Sequence, residues 1–204
     1  MSEKPILFNT AMVRAILDGR KTQTRRVVVP RYRDGDAGFN VITNAATGKF
    51  LYIEYYDEDE FSTERRLNPP YIPGDVLYVR ETWKQYTTGT AGPGLIDGYL
   101  YKADEPQDTS GMMVDGRWHP SIHMPKDAAR IWLKVTDIRC EQLNDMTEED
   151  AIAEGFPDSQ AGTDSPLERF AVLWDKTVKR VDRDRFGWYG NPWVWVYEFE
   201  RIKP

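Results

Sequence analysis

The residue types best suited to chemistry are gathered in Ile16–Arg26, ILDGRKTQTRR, where Arg20, Lys21, Arg25 and Arg26 surround the hydroxyls of Thr22 and Thr24. A lysine becomes a base when its surroundings lower its pKa, a threonine hydroxyl can attack or hold water, and arginines hold anions. The competing reading is a polar helix exit running into a strand, with no ligand involved. Residues 11–33 carry seven basic side chains against Asp18 alone, in a chain whose formal net charge is -6. An anionic partner is therefore met locally, because proteins that coat long nucleic acids are usually basic overall. A small or end-on ligand suits this balance better.

Elements must position these residues. The apolar run KPILFN reads as a buried first strand, and Thr10 as the cap of a helix with Met12, Val13, Ile16 and Leu17 at helical spacing. Gly19 is placed to end that helix, and the macrodipole there favours Arg20 and Lys21 by about 0.3–1 kcal/mol each. That structural reason does not extend to Thr24 or Arg26. A second helix is written into MTEEDAIAEGF: Thr147 is the N-cap, Asp150 closes a capping box, Gly155 is the left-handed terminator and Phe156 the apolar residue beyond it. Glu154 falls at the last turn, where the negative end of the dipole disfavours a carboxylate and, with burial, would raise its pKa toward a useful acid-base range. SPLERFAVLWDKTVK reads as an amphipathic helix with Leu167, Phe170, Leu173 and Trp174 on one face.

The remaining apolar runs are strands. Pro73-Gly74-Asp75 turns the chain into Val76–Glu81, YLYKAD lies between Gly-rich and polar loops, and ARIWLKVTDIRCEQL puts Ile131, Leu133 and Val135 on one face. NPWVWVYEF alternates Trp193, Trp195, Tyr197 and Phe199 with Val194, Val196 and Glu198; both faces are mostly apolar, which predicts a central strand. The polar-aromatic stretch before Pro73 reads as an insertion, with a hairpin turn at Thr47-Gly48 and a solvated acidic tip at Asp57–Glu60. Strands outnumber helices, which predicts an α+β fold in which helices pack on a small mixed barrel.

Taken in order, ILDGRKTQTRR, PGDVLYVRETW, LKVTDIRCEQL leading into MTEEDAIAEGF, and the closing VYEFERI resemble the ASCH family, a branch of the PUA-like superfold. WHPSIHMPKDAARI and the length are similar to phage and prophage members. The resemblance implies one domain over 1–204, with insertions at about 31–70 and 84–117, and a PUA-like mixed β-barrel with helices at its rim. It also implies a cleft for a modified nucleoside or RNA. One group in the family hydrolyses N4-acetylcytidine with a lysine and a threonine in Gly-Arg-Lys-Thr-x-Thr and a glutamate in a later helix. The matching positions are Lys21, Thr24 and Glu154, with Arg20 and Arg26 as ligand-binding neighbours. In that reading Thr24 attacks or positions water, Lys21 activates it and Glu154 carries a proton to the leaving amine. Lys21 and Thr24 have opposite parity on an ideal strand, so they converge only if Lys21 belongs to the turn.

Glu81 and Trp83 in VRETW, and His123, are further ligand candidates, with Trp83 either stacking on a base or packing in the core. His119 and His123 stand four apart, but Pro120 and Pro125 argue against a helical metal pair; no metal and no cofactor is expected. Cys140 has no second cysteine to pair with, and no run of about 18 apolar residues is present, which points to a cytoplasmic setting. The leading expectation is an amidohydrolase acting on N4-acylated cytidine. The alternatives are a non-catalytic RNA-binding module and, below it, a ribonuclease.

Overall fold

The computed structural model describes residues 3–88, 98–105, 109–114, 116–158 and 164–203. The Gly-rich stretch 89–97 and the loop residues 159–163 lie outside them.

Helix α1 (Thr10–Leu17) starts at Asn9, whose side-chain oxygen accepts the Met12 N–H at 2.9 Å. Thr10, expected as the cap, is the first helical residue instead, because the backbone is still extended at Asn9 and already helical at Thr10. Gly19, at φ +74°, ends the helix: its N–H donates to the Ile16 carbonyl and that of Arg20 to the Ala15 carbonyl. Helix α2 (Glu148–Ala153) has the expected Thr147–Asp150 capping box and the same ending, with Gly155 N–H on Ile152 and Phe156 N–H on Ala151. Helix α3 (Pro166–Thr177) is boxed by Ser165 and Glu168, and α4 (Arg183–Phe186) is a single turn.

The fold is mixed α+β. Five strands form the main sheet: β1 (Glu3–Leu7), β2 (Gln23–Val27), β6 (Val76–Arg80), β10 (Trp132–Gln142) and β11 (Trp193–Ile202). Their order is β1-β6-β10-β11-β2, with β1 parallel to β6 and the other pairs antiparallel. β1 and β2 are the end strands of an open order, so KPILFN is an edge strand with Ile6 buried and Leu7 exposed, rather than a buried central one. β11 is interior, and its alternation divides as the sequence predicts. Trp195, Tyr197 and Phe199 join the core with α1, while Val194 and Val196 face Phe170 and Trp174 of α3. Each aliphatic side chain so buried contributes about 1.5–3 kcal/mol.

Two smaller sheets fall within the segments expected as insertions. β3 (Gly38–Thr43), β4 (Phe50–Tyr56) and β5 (Ser62–Leu67) form one, packed on the main sheet through Ile53 and through edge-on contacts of Phe39 with Trp193 and Phe50 with Trp195. The acidic tip is a turn in which Asp57 accepts the N–H groups of Asp59 and Phe61, as the solvated reading requires. β7 (Trp83–Thr87), β8 (Gly98–Tyr101) and β9 (Met113–Val114) form the other. The strand entering at Val76 therefore ends at Arg80, and VRETW spans two sheets.

Candidate functional site

The two helix endings meet. Gly155, at φ +103°, lies so close to α1 that a Cβ there would stand 2.7 Å from Ala15 Cβ and 3.2 Å from Lys21 Cβ. No other residue supplies both the backbone conformation and the clearance. The contact is sealed by an isolated antiparallel bridge between Lys21 and Glu154 and by the Thr22 N–H on the Ala153 carbonyl at 2.8 Å. Lys21 thus belongs to the turn and β2 begins at Gln23, which removes the parity objection to Lys21 and Thr24 acting together.

Lys21 Nζ donates to Glu154 Oε2 at 2.5 Å and to the Glu154 carbonyl at 2.9 Å, with both side chains almost fully buried. Burial pushes the Lys21 pKa down; Glu154 offsets part of this, and the nearby Arg26 and Arg25 charges push in the same direction as burial. The other carboxylate oxygen, Oε1, faces Arg25 Nη1 at 3.3 Å. A carboxylate at the negative end of α2 is thus held between two cations, which answers the dipole objection.

Arg25 is the hub of what lies behind. Its Nη2 reaches Glu141 at 2.7 Å and Asp150 at 3.0 Å. Gln23 donates to the Asp150 carboxylate at 2.9 Å, and Arg139 joins Glu141, Asp150 and Glu198. Burial pushes the Asp150 pKa up, but Gln23, Arg25, the Thr147 N–H and Arg139 outweigh it and leave the group below the usual carboxylate range.

A cavity of about 400 Å³ opens in front of this array. Its polar wall includes Thr24, Arg25, Arg26 and Glu154, and its apolar wall includes Phe8, Met12, Phe170, Leu173 and Trp174. This is within the size range of small-ligand sites. Thr24 Oγ1 is buried and has no hydrogen-bond partner among the described residues. An orphaned buried hydroxyl costs about 1–3 kcal/mol, which a ligand or water group in the cavity would recover. Arg26 is fixed by its donation to the Leu7 carbonyl at 2.9 Å and lies over the Phe8 ring. Lys21 does not line the cavity; it reaches it through Glu154.

The other expected ligand residues stand elsewhere. Arg20 clamps the end of α2 by donating to the Gly155 carbonyl at 2.6 Å, and lines a neighbouring smaller cavity that shares Met12, Glu154 and Leu173 with the main one. Glu81 is buried in a two-pronged pair with Arg130, at 2.9 and 3.1 Å, which fastens the β7 end of the chain. It does not line the cavity, although the next residue, Thr82, does. Trp83 is core: it packs with Met124 and Ala128, edge-on to Tyr99 and 5.0 Å from the His119 ring. His123 is exposed on a single turn, Ser121–His123, whose preceding Pro120 and first residue Ser121 line the cavity while the histidine does not. Among the described residues no cluster of three or more His, Cys, Asp or Glu could hold a metal ion.

The sequence reading does not foresee that Arg25, Arg139 and Asp150 form an ion-pair network behind the candidate site, or that α3 contributes to the cavity wall. Compared with known proteins, the chain matches no family model, no curated protein and no solved structure.

Proposed function

We propose that the chain is an ASCH-type protein of the PUA-like superfold that binds a modified cytidine and hydrolyses the amide at its N4 amine. The observation that carries this reading is the convergence of Thr24 and Glu154 on one base-sized cavity, with Lys21 bonded to Glu154 from behind. The five-stranded sheet with helices on its faces is the element of the fold that supports a PUA-like assignment.

In this account the base rests against Phe8 and Trp174 with its acyl group toward Thr24. The Thr24 hydroxyl attacks the acyl carbon and its proton passes to the Glu154 carboxylate. As the C–N bond breaks, Glu154 returns that proton to the exocyclic nitrogen, leaving the free amine and a threonine ester. Water then cleaves the ester, releasing the carboxylic acid and restoring Thr24. Lys21 positions Glu154 through its two hydrogen bonds, and Arg26 supplies positive charge for the developing oxyanion.

A second reading is favoured by one observation: both oxygens of Glu154 are already engaged, Oε2 by Lys21 and Oε1 by Arg25, as in a structural ion-pair network. Such a protein would bind the base without turning it over. Incubation with N4-acetylcytidine and with single-stranded RNA, without added metal, separates these cases. Release of acetate that is lost in Glu154→Gln supports the amidohydrolase. Binding without turnover supports the module, and RNA fragmentation would point to a nuclease.

A further inference from the structure

A second basic surface adjoins the cavity and takes no part in the chemistry above. Thr177, the last residue of α3, lines the cavity, and the chain around and beyond it presents Lys176, Lys179, Arg180, Arg183 and Arg185, all exposed. Arg185 closes on Tyr32: both line a surface cleft of about 230 Å³ with Pro30 and Phe186. Arg31 and Arg33 flank Tyr32 in sequence and are exposed as well. The approach of Arg185 to Tyr32 thus joins two segments about 150 residues apart in the chain into one basic strip, which begins, in chain order, beside the cavity-lining Thr177.

The cations of this strip differ from the buried and half-buried arginines that hold the fold together. Arg25, Arg65, Arg130 and Arg139 are each paired with a carboxylate. None of the seven strip residues has an ion pair among the described residues, and Asp34, Asp182 and Asp184 leave them in excess. Aromatic and apolar side chains are exposed beside them, with Tyr32 at 48%, Val181 at 87% and Tyr189 at 95% of full accessibility. Unpaired cations interleaved with open aromatic rings suit a ligand that alternates phosphates with flat bases, more than a lipid surface, which offers no ring partners. The chain as a whole is acidic, with a formal net charge of -6, so such a ligand is met locally.

We propose that the strip docks the phosphate backbone of a single-stranded polynucleotide, with bases resting on Tyr32 and Tyr189 and one base entering the cavity past Thr177. The entry of a base rests on the reading of the cavity as a nucleoside site; the docking of the backbone does not.

The test compares wild type with Arg183→Glu/Arg185→Glu and Arg31→Glu/Arg33→Glu, after thermal melts verify that each is folded. Binding of labelled single-stranded RNA and DNA 12-mers is measured against salt, with phosphatidylserine vesicles as a parallel probe, and turnover of free N4-acetylcytidine is followed. Each double reversal is expected to weaken 12-mer binding by about ten-fold or more and to flatten the log–log salt dependence by about 1.4 units, since each of two phosphate contacts on a single strand contributes about 0.7. Turnover of the free nucleoside stays at the wild-type rate. Unchanged 12-mer binding in both variants overturns the proposal, as does wild-type binding to vesicles but not to 12-mers. If no protein turns over the nucleoside while the reversals still weaken 12-mer binding, the docking strip stands and the amidohydrolase reading falls.

Discussion

Lys21 Nζ lies 2.5 Å from Glu154 Oε2 and 2.9 Å from the carbonyl oxygen of the same residue, so one ammonium satisfies both the side chain and the last backbone acceptor of α2. Removing one member of a buried pair leaves an uncompensated charge, at a cost of about 3–5 kcal/mol, whereas replacing both with apolar residues is often neutral. Lys21→Met and Glu154→Gln should therefore each lower the melting temperature by about 6–20 °C for a chain of this size. Lys21→Met/Glu154→Leu should recover most of that loss, because Arg25 keeps Glu141 and Asp150 as partners. Calorimetry beside an acetate-release assay then separates stability from function: the double variant melts near wild type and stays inactive.

Thr24 offers the opposite dissociation. Its hydroxyl is buried without a partner among the described residues, so the fold gains nothing from it. Thr24→Val should melt at or above the wild-type temperature while losing turnover, and Thr24→Ser should keep a measurable rate. A Thr24→Val protein destabilised by about 2 kcal/mol or more would mean that the hydroxyl serves the fold.

The depressed pKa of Lys21 has a signed consequence for stability. Below its native pKa both folded and unfolded chains hold the proton, and the desolvation cost is felt in full. Between that pKa and the ordinary lysine value the unfolded chain binds more protons, so this group makes stability rise with pH. Burial raises the thiol of Cys140 and the phenol of Tyr101 to about 12 each, and these act in the other direction at alkaline pH. Urea midpoints of wild type minus Lys21→Met cancel them, and the difference should climb with pH across the alkaline range.

Gly155→Ala tests the join between the helices. The new methyl group would meet Ala15 at 2.7 Å on a backbone at φ +103°. Overpacking of this kind costs about 1–3 kcal/mol, with backbone strain in addition, so urea unfolding should show a loss of about 2–5 kcal/mol. Turnover should fall too, since Lys21 Cβ is the next contact.

Cys140 should be inert in the folded protein. Its thiol, pushed to about 12 by burial and by Glu141, carries almost no thiolate at pH 8. Labelling by a disulfide reagent should be slow in buffer and fast in denaturant; equal rates would show that β10 opens readily.

Much of this is legible in the chain itself, for identifiable reasons. Gly19, the Thr147–Asp150 box and Gly155–Phe156 are local signals, read within one or two turns, and they place Lys21 and Glu154 at helix ends without any tertiary information. The alternation of β11 is equally local. Arg25 is not legible in the same way. In a run of cations it reads as solvated, and only the register that sets it opposite Val196 turns its side chain inward to three carboxylates. Glu81 and Trp83 mislead because VRETW reads as the end of a strand opening on a cleft, whereas the chain changes sheet between Arg80 and Trp83. Asn9 and Thr10 are both good caps, and which one caps depends on a backbone turn that composition does not specify.

The central claim is that Thr24 and Glu154 act together on an N4-acyl cytidine. Its most direct test is the initial rate of acetate release from N4-acetylcytidine, measured side by side for wild type, Thr24→Val and Glu154→Gln at matched folded concentration. The account predicts turnover by wild type and a loss of at least about a hundred-fold in each variant, the scale of removing a positioned nucleophile or proton carrier. Wild type that binds the nucleoside but releases no acetate, or a Thr24→Val variant as active as wild type, would contradict it.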